Sequence, residues 1–160
     1  MFIYGYMCKY NVIINTWDER NMFKFTEDMK KVVATSVRPF IFATASKNGK
    51  PNGVPIGFAK MLSDDEFMLV DNFMQKTRQN IIENPIAAVT CWSSDVHYGY
   101  QFKGKAHIET SGEVFDSAVE WVKNRGLPFK PKGVVIVKVD EVYYIGSKKD
   151  SRKNLVTQED

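Results

Sequence analysis

Residues 71–85 hold the side chains whose types and spacing suit chemistry best. They read Asp71-Asn72-Phe73-Met74-Gln75-Lys76-Thr77-Arg78-Gln79-Asn80-Ile81-Ile82-Glu83-Asn84-Pro85. Residues 66–70 before them are short, apolar and bounded by polar residues, which predicts a strand. A polar turn follows, and then a short helix from Lys76 to Asn84. Pro85 ends that helix, because the residue before a proline is pushed out of the helical region. Gln75, Lys76 and Thr77 therefore stand at a helix N-terminus, where backbone N–H groups lack intrahelical partners and the dipole adds partial positive charge. A lysine, an arginine and a hydroxyl at that end make a phosphate seat. The same residues also suit an ordinary capped helix with solvated charges. Taken locally they favour that plainer account, since short motifs match by accident often.

The elements that must position this end follow from pattern. Thr26 caps a helix with Glu27 and Asp28 in its first turn, running to about Thr35, and Met29, Val32 and Val33 recur at helical spacing. Residues 38–46 predict a strand. Asn48-Gly49 then gives the strongest short hairpin signal, with a return strand expected over residues 51–61. That return strand carries Pro51, Gly53, Pro55 and Gly57, so it must bend, bulge or let something approach its backbone closely. A bent barrel edge without a ligand and a strand lined by a flat ligand both fit. Ser63-Asp64-Asp65 is a turn.

After the central helix, residues 86–92 form a strand in which Cys91 is a small buried residue. Residues 98–110 alternate, with Tyr100, Phe102, Ala106 and Ile108 on one face and Gln101, Lys103, Lys105 and His107 on the other. His107 has no partner that suggests catalysis. A second amphipathic helix runs to about Asn124, with Val114, Phe115, Ala118, Val119 and Val122 as its stripe. Gly126, Pro128 and Pro131 mark a loop, and residues 133–145 form a β-branched last strand. Regular strand–helix alternation is missing, so a mostly antiparallel barrel is expected rather than a doubly wound parallel sheet.

Length and composition bound the rest. The 160 residues suit one domain with one sizeable core. A net charge of +3 argues weakly for nucleic acid, and Lys148, Lys149, Arg152 and Lys153 read as a solvated tail. Two cysteines, Cys8 and Cys91, and two histidines, His97 and His107, without a CxxC, argue against structural zinc and fit reduced thiols in a cytoplasmic protein. No signal peptide and no membrane-spanning apolar run is read. Residues 1–21 lack a clear period, and Met22-Phe23-Lys24-Phe25 reads as a second natural beginning. The expected organisation is an extension over 1–21, a domain over 22–145 and a polar tail over 146–160. N-terminal sequencing of the natural protein tests the extension.

Four pieces, taken in order, resemble one family. They are Phe42-Ala43-Thr44-Ala45 before Asn48-Gly49; Pro51-Asn52-Gly53-Val54-Pro55-Ile56-Gly57-Phe58; residues 71–77 continuing to Asn84-Pro85; and Gly99-Tyr100-Gln101-Phe102-Lys103-Gly104. Over residues 22–145 the chain resembles the FMN-binding split-barrel flavoproteins related to pyridoxamine 5′-phosphate oxidase, especially their small FMN-binding members. The resemblance implies an antiparallel split β-barrel with flanking helices, mostly β, and FMN as cofactor. Lys76 and Thr77, helped by Gln75, would hold the phosphate. Asp71 belongs to the same segment, and Asn72 would lie near the ribityl chain or phosphate. The backbone of Val54, Pro55, Ile56 and Gly57 would run along the ring. It implies a homodimer, with Trp92, Tyr98, Tyr100 and Gln101 facing the flavin from either subunit.

The implied function is redox chemistry or electron transfer carried by FMN, with no catalytic side chain named and with the redox partner open. The chain lacks the arginine- and tryptophan-bearing C-terminal segment of true pyridoxamine phosphate oxidases, and it has Gln75-Lys76 where the family commonly has Ser-Arg. It is therefore not expected to oxidise pyridoxamine phosphate. Some split-barrel relatives bind a deazaflavin or haem. A binding module without a redox cofactor is the remaining alternative.

Overall fold

The computed structural model describes residues 23–147 and 154–156. The expected extension over 1–21, Cys8 and the basic residues 148–153 lie outside the described residues. The elements run α1 (Glu27–Thr35), β1 (Phe40–Ala45), β2 (Pro51–Ile56), β3 (Ala59–Met61), β4 (Glu66–Asp71), α2 (Lys76–Glu83), β5 (Ile86–Ser93), β6 (Tyr98–Glu109), α3 (Glu113–Asn124) and β7 (Gly133–Ile145).

The seven strands form one antiparallel sheet in the order β2-β1-β5-β6-β7-β4-β3. It is the split half-barrel expected from sequence. The expected return strand over 51–61 is corrected in one respect. It breaks at Gly57-Phe58 into β2 and β3, and these two stand at opposite edges of the sheet. Two residues span both edges, so the sheet must curl until its edges meet. The seam lies at that bend.

Alternation fills the interior. Phe40, Phe42, Val89, Cys91, Phe102, Val137 and Val139 point inward, and Phe25, Phe67 and Phe102 meet ring to ring at 4.9–5.4 Å. Helix α1 closes one side of the barrel with Met29, Val32 and Val33. Strand β4 is buried on both faces, as its unbroken apolar run requires. Its Met68 and Val70 pack with Val134 under Ala118 and Val122 of α3. The β6–β7 ladder slips register between Lys103 and Gly104, where a Cβ on Gly104 would stand 1.8 Å from the Lys138 carbonyl oxygen. Only glycine fits that approach.

Asn154 returns to β7. It bridges to Tyr143, its Oδ1 accepts from the Val142 N–H at 3.0 Å, and Leu155 and Val156 pack on the core. That part of the expected solvated tail is thus attached. Among the described residues no helix is long and apolar enough to cross a membrane.

Candidate functional site at the barrel seam

The turn between β4 and α2 is fixed from below. Asp71 is fully buried; its Oδ1 accepts from the Met74 N–H and its Oδ2 pairs with the Arg78 guanidinium, both at 2.9 Å. Its backbone carbonyl accepts from Lys132 N–H at 2.7 Å. Asp71 thus stands behind the turn rather than in a cavity. It holds residues 72–75 in place.

Helix α2 is tied to the first hairpin by amides and hydroxyls. Asn52 Nδ2 donates to Thr77 Oγ1 at 3.1 Å, and Asn80 Nδ2 donates to Thr44 Oγ1 at 3.0 Å. Asn84 Nδ2 reaches the Ala45 carbonyl at 3.3 Å. Because the Thr77 oxygen accepts from Asn52, its own proton remains to be given elsewhere.

A groove of about 490 Å³ opens between this turn and the β2–β3 bend. That volume suits a small molecule or cofactor. Val54, Pro55, Ile56 and Gly57 form one side. Asn72, Gln75, Lys76 and Thr77 form the other, with Phe58 and Phe73 at its walls. Among the described residues strand β2 pairs only with β1, so its outer edge offers backbone N–H and C=O groups to the groove. No side chain caps α2, and its first turn holds no acid. Asn72 Oδ1 is buried without a hydrogen-bond partner among the described residues. A Cβ at Gly57 would meet no atom within 4 Å, so the fold leaves that space open. Among the described residues no carboxylate and no histidine lines the groove.

The structure brings eight of the expected site residues together here: Val54, Pro55, Ile56, Gly57, Asn72, Gln75, Lys76 and Thr77. Trp92 and Gln101 do not join them. They lie on the outer face of the sheet with Ile41 and Thr90, to which Gln101 Nε2 donates at 3.4 Å. Tyr98 and Tyr100 turn instead toward α1, where both hydroxyls donate to the Asp28 carboxylate at 2.6 and 2.5 Å. That carboxylate pushes Tyr98 up to about 12, and burial together with Asp28 raises Tyr100. Burial likewise pushes the Cys91 thiol up, away from nucleophilic use.

Arg78, expected beside Lys76 in the phosphate seat, instead pairs with the buried Asp71 and does not line the groove. Sequence reasoning missed Asn52 as a support of Thr77, along with Thr44 and Asn80. Asn52 and Asn80 had a usable signal, each being an amide inside a predicted element.

Residues 25–146 match the model of the family described as Pyridoxamine 5′-phosphate oxidase. An uncharacterized protein of Methanocaldococcus jannaschii is 36% identical over 141 residues, which is 87% of this chain and 93% of that one. The crystal structure of HupZ from Group A Streptococcus is similar with a TM-score of 0.69 at 27% identity, over 79% of this chain and 98% of that chain. At 17% identity, an FMN-binding protein of Syntrophomonas wolfei shares the fold with a TM-score of 0.66, over 77% of this chain and 87% of that chain. A heme binding protein of Mycobacterium smegmatis, also at 17%, shares it with a TM-score of 0.56, over 76% of this chain and 54% of that chain.

Proposed function

This chain belongs to the pyridoxamine 5′-phosphate oxidase family, and from that premise we propose that the groove at its barrel seam holds FMN. The carrying observation is the start of α2, which faces the groove with Lys76 and Thr77 and with neither a capping side chain nor an acid. An anion completes such an end. The phosphate would rest on Lys76, Thr77 and the first N–H groups of α2. The unpartnered Asn72 oxygen would accept from a hydroxyl of the ribityl chain. The free edge of β2 would meet the polar edge of the ring, beside the space left open at Gly57.

FMN, when bound, supplies hydride or single-electron transfer at its ring. This chain supplies position and partial exclusion of water through Phe58 and Phe73. Among the described residues no carboxylate or histidine lines the groove, and no side chain is assigned there as a catalytic acid or base. The protein is thus a flavin oxidoreductase or electron-transfer protein. Pyridoxamine phosphate is not its substrate in this proposal, because residues 146–160 do not carry the arginine- and tryptophan-bearing pattern. Incubation with pyridoxamine 5′-phosphate tests that point, and pyridoxal phosphate formation would refute it.

Haem is a weaker alternative. Neither histidine lines the groove; His107 pairs with Glu109 at 3.2 Å at an exposed position of β6. The absorbance spectrum of the freshly purified protein, with heat release and mass analysis of the chromophore, decides. Released FMN is expected. A Soret band, a deazaflavin mass, or a colourless protein that takes up no FMN would overturn the proposal.

The outer sheet face supports a homodimer. Ile41, Ile86 and Trp92 are 46%, 52% and 41% exposed there, and Pro55 brings that face to the groove's rim. A second copy would bury them and bring Trp92 and Gln101 to an interface. Light scattering should give a dimer mass, and a monomer unchanged by Trp92→Lys would refute the assignment. A cytoplasmic setting fits the free, buried Cys91; an export signal found on the natural protein would contradict it.

A further inference from the structure

The connection between α3 and β7 lines an open, shallow surface cavity of about 360 Å³ beside the groove, with Lys123, Leu127, Pro128 and Lys130 exposed. Val119, Leu127, Pro128 and Phe129 make its apolar walls, and Lys123 and Lys130 stand among them. The Phe129 ring lies 5.1 Å from Phe73, which is a wall of the groove. Lys132, at the end of the same connection, donates to the carbonyl of Asp71, directly before the groove-lining Asn72 and Phe73. The two cavities therefore share an aromatic wall and hang from one strand end.

The charged residues of the cavity's own lining, Lys123 and Lys130, are both positive, while Asp116 and Glu120 stand earlier on α3 outside that lining. Lys123, Arg125, Lys130 and Lys132 stand in a stretch without Asp or Glu. Among the described residues, no ion pair engages Lys123 or Lys130. Unpaired ammonium groups over apolar walls recruit an anion, and the walls select one with an apolar body over a bare inorganic ion. Proline at 128 and 131 limits how far the connection can collapse.

We propose that this cavity is a binding subsite for a small organic anion with a flat apolar body. Its charged end meets Lys123 and Lys130, and its body lies against Phe129 toward the groove. The role of that anion as reaction partner rests on the FMN proposal; its binding does not.

Naphthalene-2-sulfonate serves as the probe, titrated calorimetrically into the purified full chain with naphthalene-2-sulfonamide as neutral control. Saturable binding of the sulfonate is expected. It should weaken by at least about tenfold in the Lys123→Gln/Lys130→Gln variant, as loss of charge-assisted contacts implies. The neutral sulfonamide should bind wild type comparably weakly, and Phe129→Ala should weaken the sulfonate too. Both lysines are exposed, so the double variant should keep its melting temperature and its FMN content. Equal affinity in the double variant, equal affinity for the neutral analogue, or no saturable binding would each overturn the subsite. Loss of probe binding in Lys76→Ala would place the probe in the groove and overturn it as well. None of these outcomes alters whether FMN is released on heating, so the two proposals fail separately.

Discussion

The first turn of α1 is completed by its own chain. Thr26 Oγ1 accepts from the Met29 N–H at 3.2 Å, Glu27 and Asp28 occupy the positive end, and Asp28 also receives Tyr98 and Tyr100. The first turn of α2 has the opposite character. Gln75 makes no capping bond, no acid follows it, and Lys76 adds like charge to the dipole. Yet α2 is firmly tied down, through Thr77, Arg78, Asn80 and Asn84. An end held rigidly but left electrostatically incomplete is organised for something from outside the chain.

Substituting acid for base at α2 gives the sharpest break in this contrast. Lys76→Glu should cost FMN affinity a hundredfold or more, since loss of a charge-assisted contact worth about 1.5–3 kcal/mol is joined by repulsion. The same change should leave the FMN-free protein as stable or stabler by about 0.3–1 kcal/mol, because an acid suits a helix N-terminus. Flavin titration and thermal melting of the apoprotein should thus move in opposite directions. A parallel loss in both would mean that Lys76 merely holds the fold.

The support behind the turn comes next. Arg78→Ala strands the buried Asp71 carboxylate, a loss of about 3 kcal/mol for breaking such a pair, seen as a lowered denaturant midpoint. FMN should restore part of that stability by mass action. No change in midpoint would show the pair to be idle.

At α1 the expected effect is smaller and purely structural. Thr26→Ala should cost about 1 kcal/mol of stability and leave flavin affinity unchanged. A change in affinity would erase the distinction between the two helix ends.

The smallest effect is at high pH. Tyr98 titrates near 12 in the folded chain, above its ordinary value, so its bond to Asp28 contributes fully below about pH 10 and is lost as pH rises toward 12. The melting-temperature gap between wild type and Tyr98→Phe should therefore shrink over that window. A constant gap would show that Asp28 does not hold the hydroxyl.

What the sequence made legible was local. Thr26, the stripe Met29-Val32-Val33, the Asn48-Gly49 hairpin and the stop at Pro85 each act over a few residues, and each is where pattern placed it. The groove's two sides were also legible, one from glycines and prolines and one from a helix start. What was not legible depends on distance in sequence. Thr44 meets Asn80 across 36 positions, and Tyr98 meets Asp28 across 70. Tyr98 and Tyr100 were assigned to a flavin face by resemblance, while a carboxylate of α1 claims them here. The break at Gly57-Phe58 was foreseen only as a bend, because which strands β2 and β3 would neighbour is decided by the whole sheet.

That break has a consequence for the life of the protein. An open sheet edge is a template on which another chain can add a strand, and among the described residues β2 and β3 both present one. The proposed cofactor would cover the β2 edge and hold the seam shut. Cofactor supply would then govern solubility as well as activity, with chains made faster than flavin can fill them forming the aggregation-prone pool.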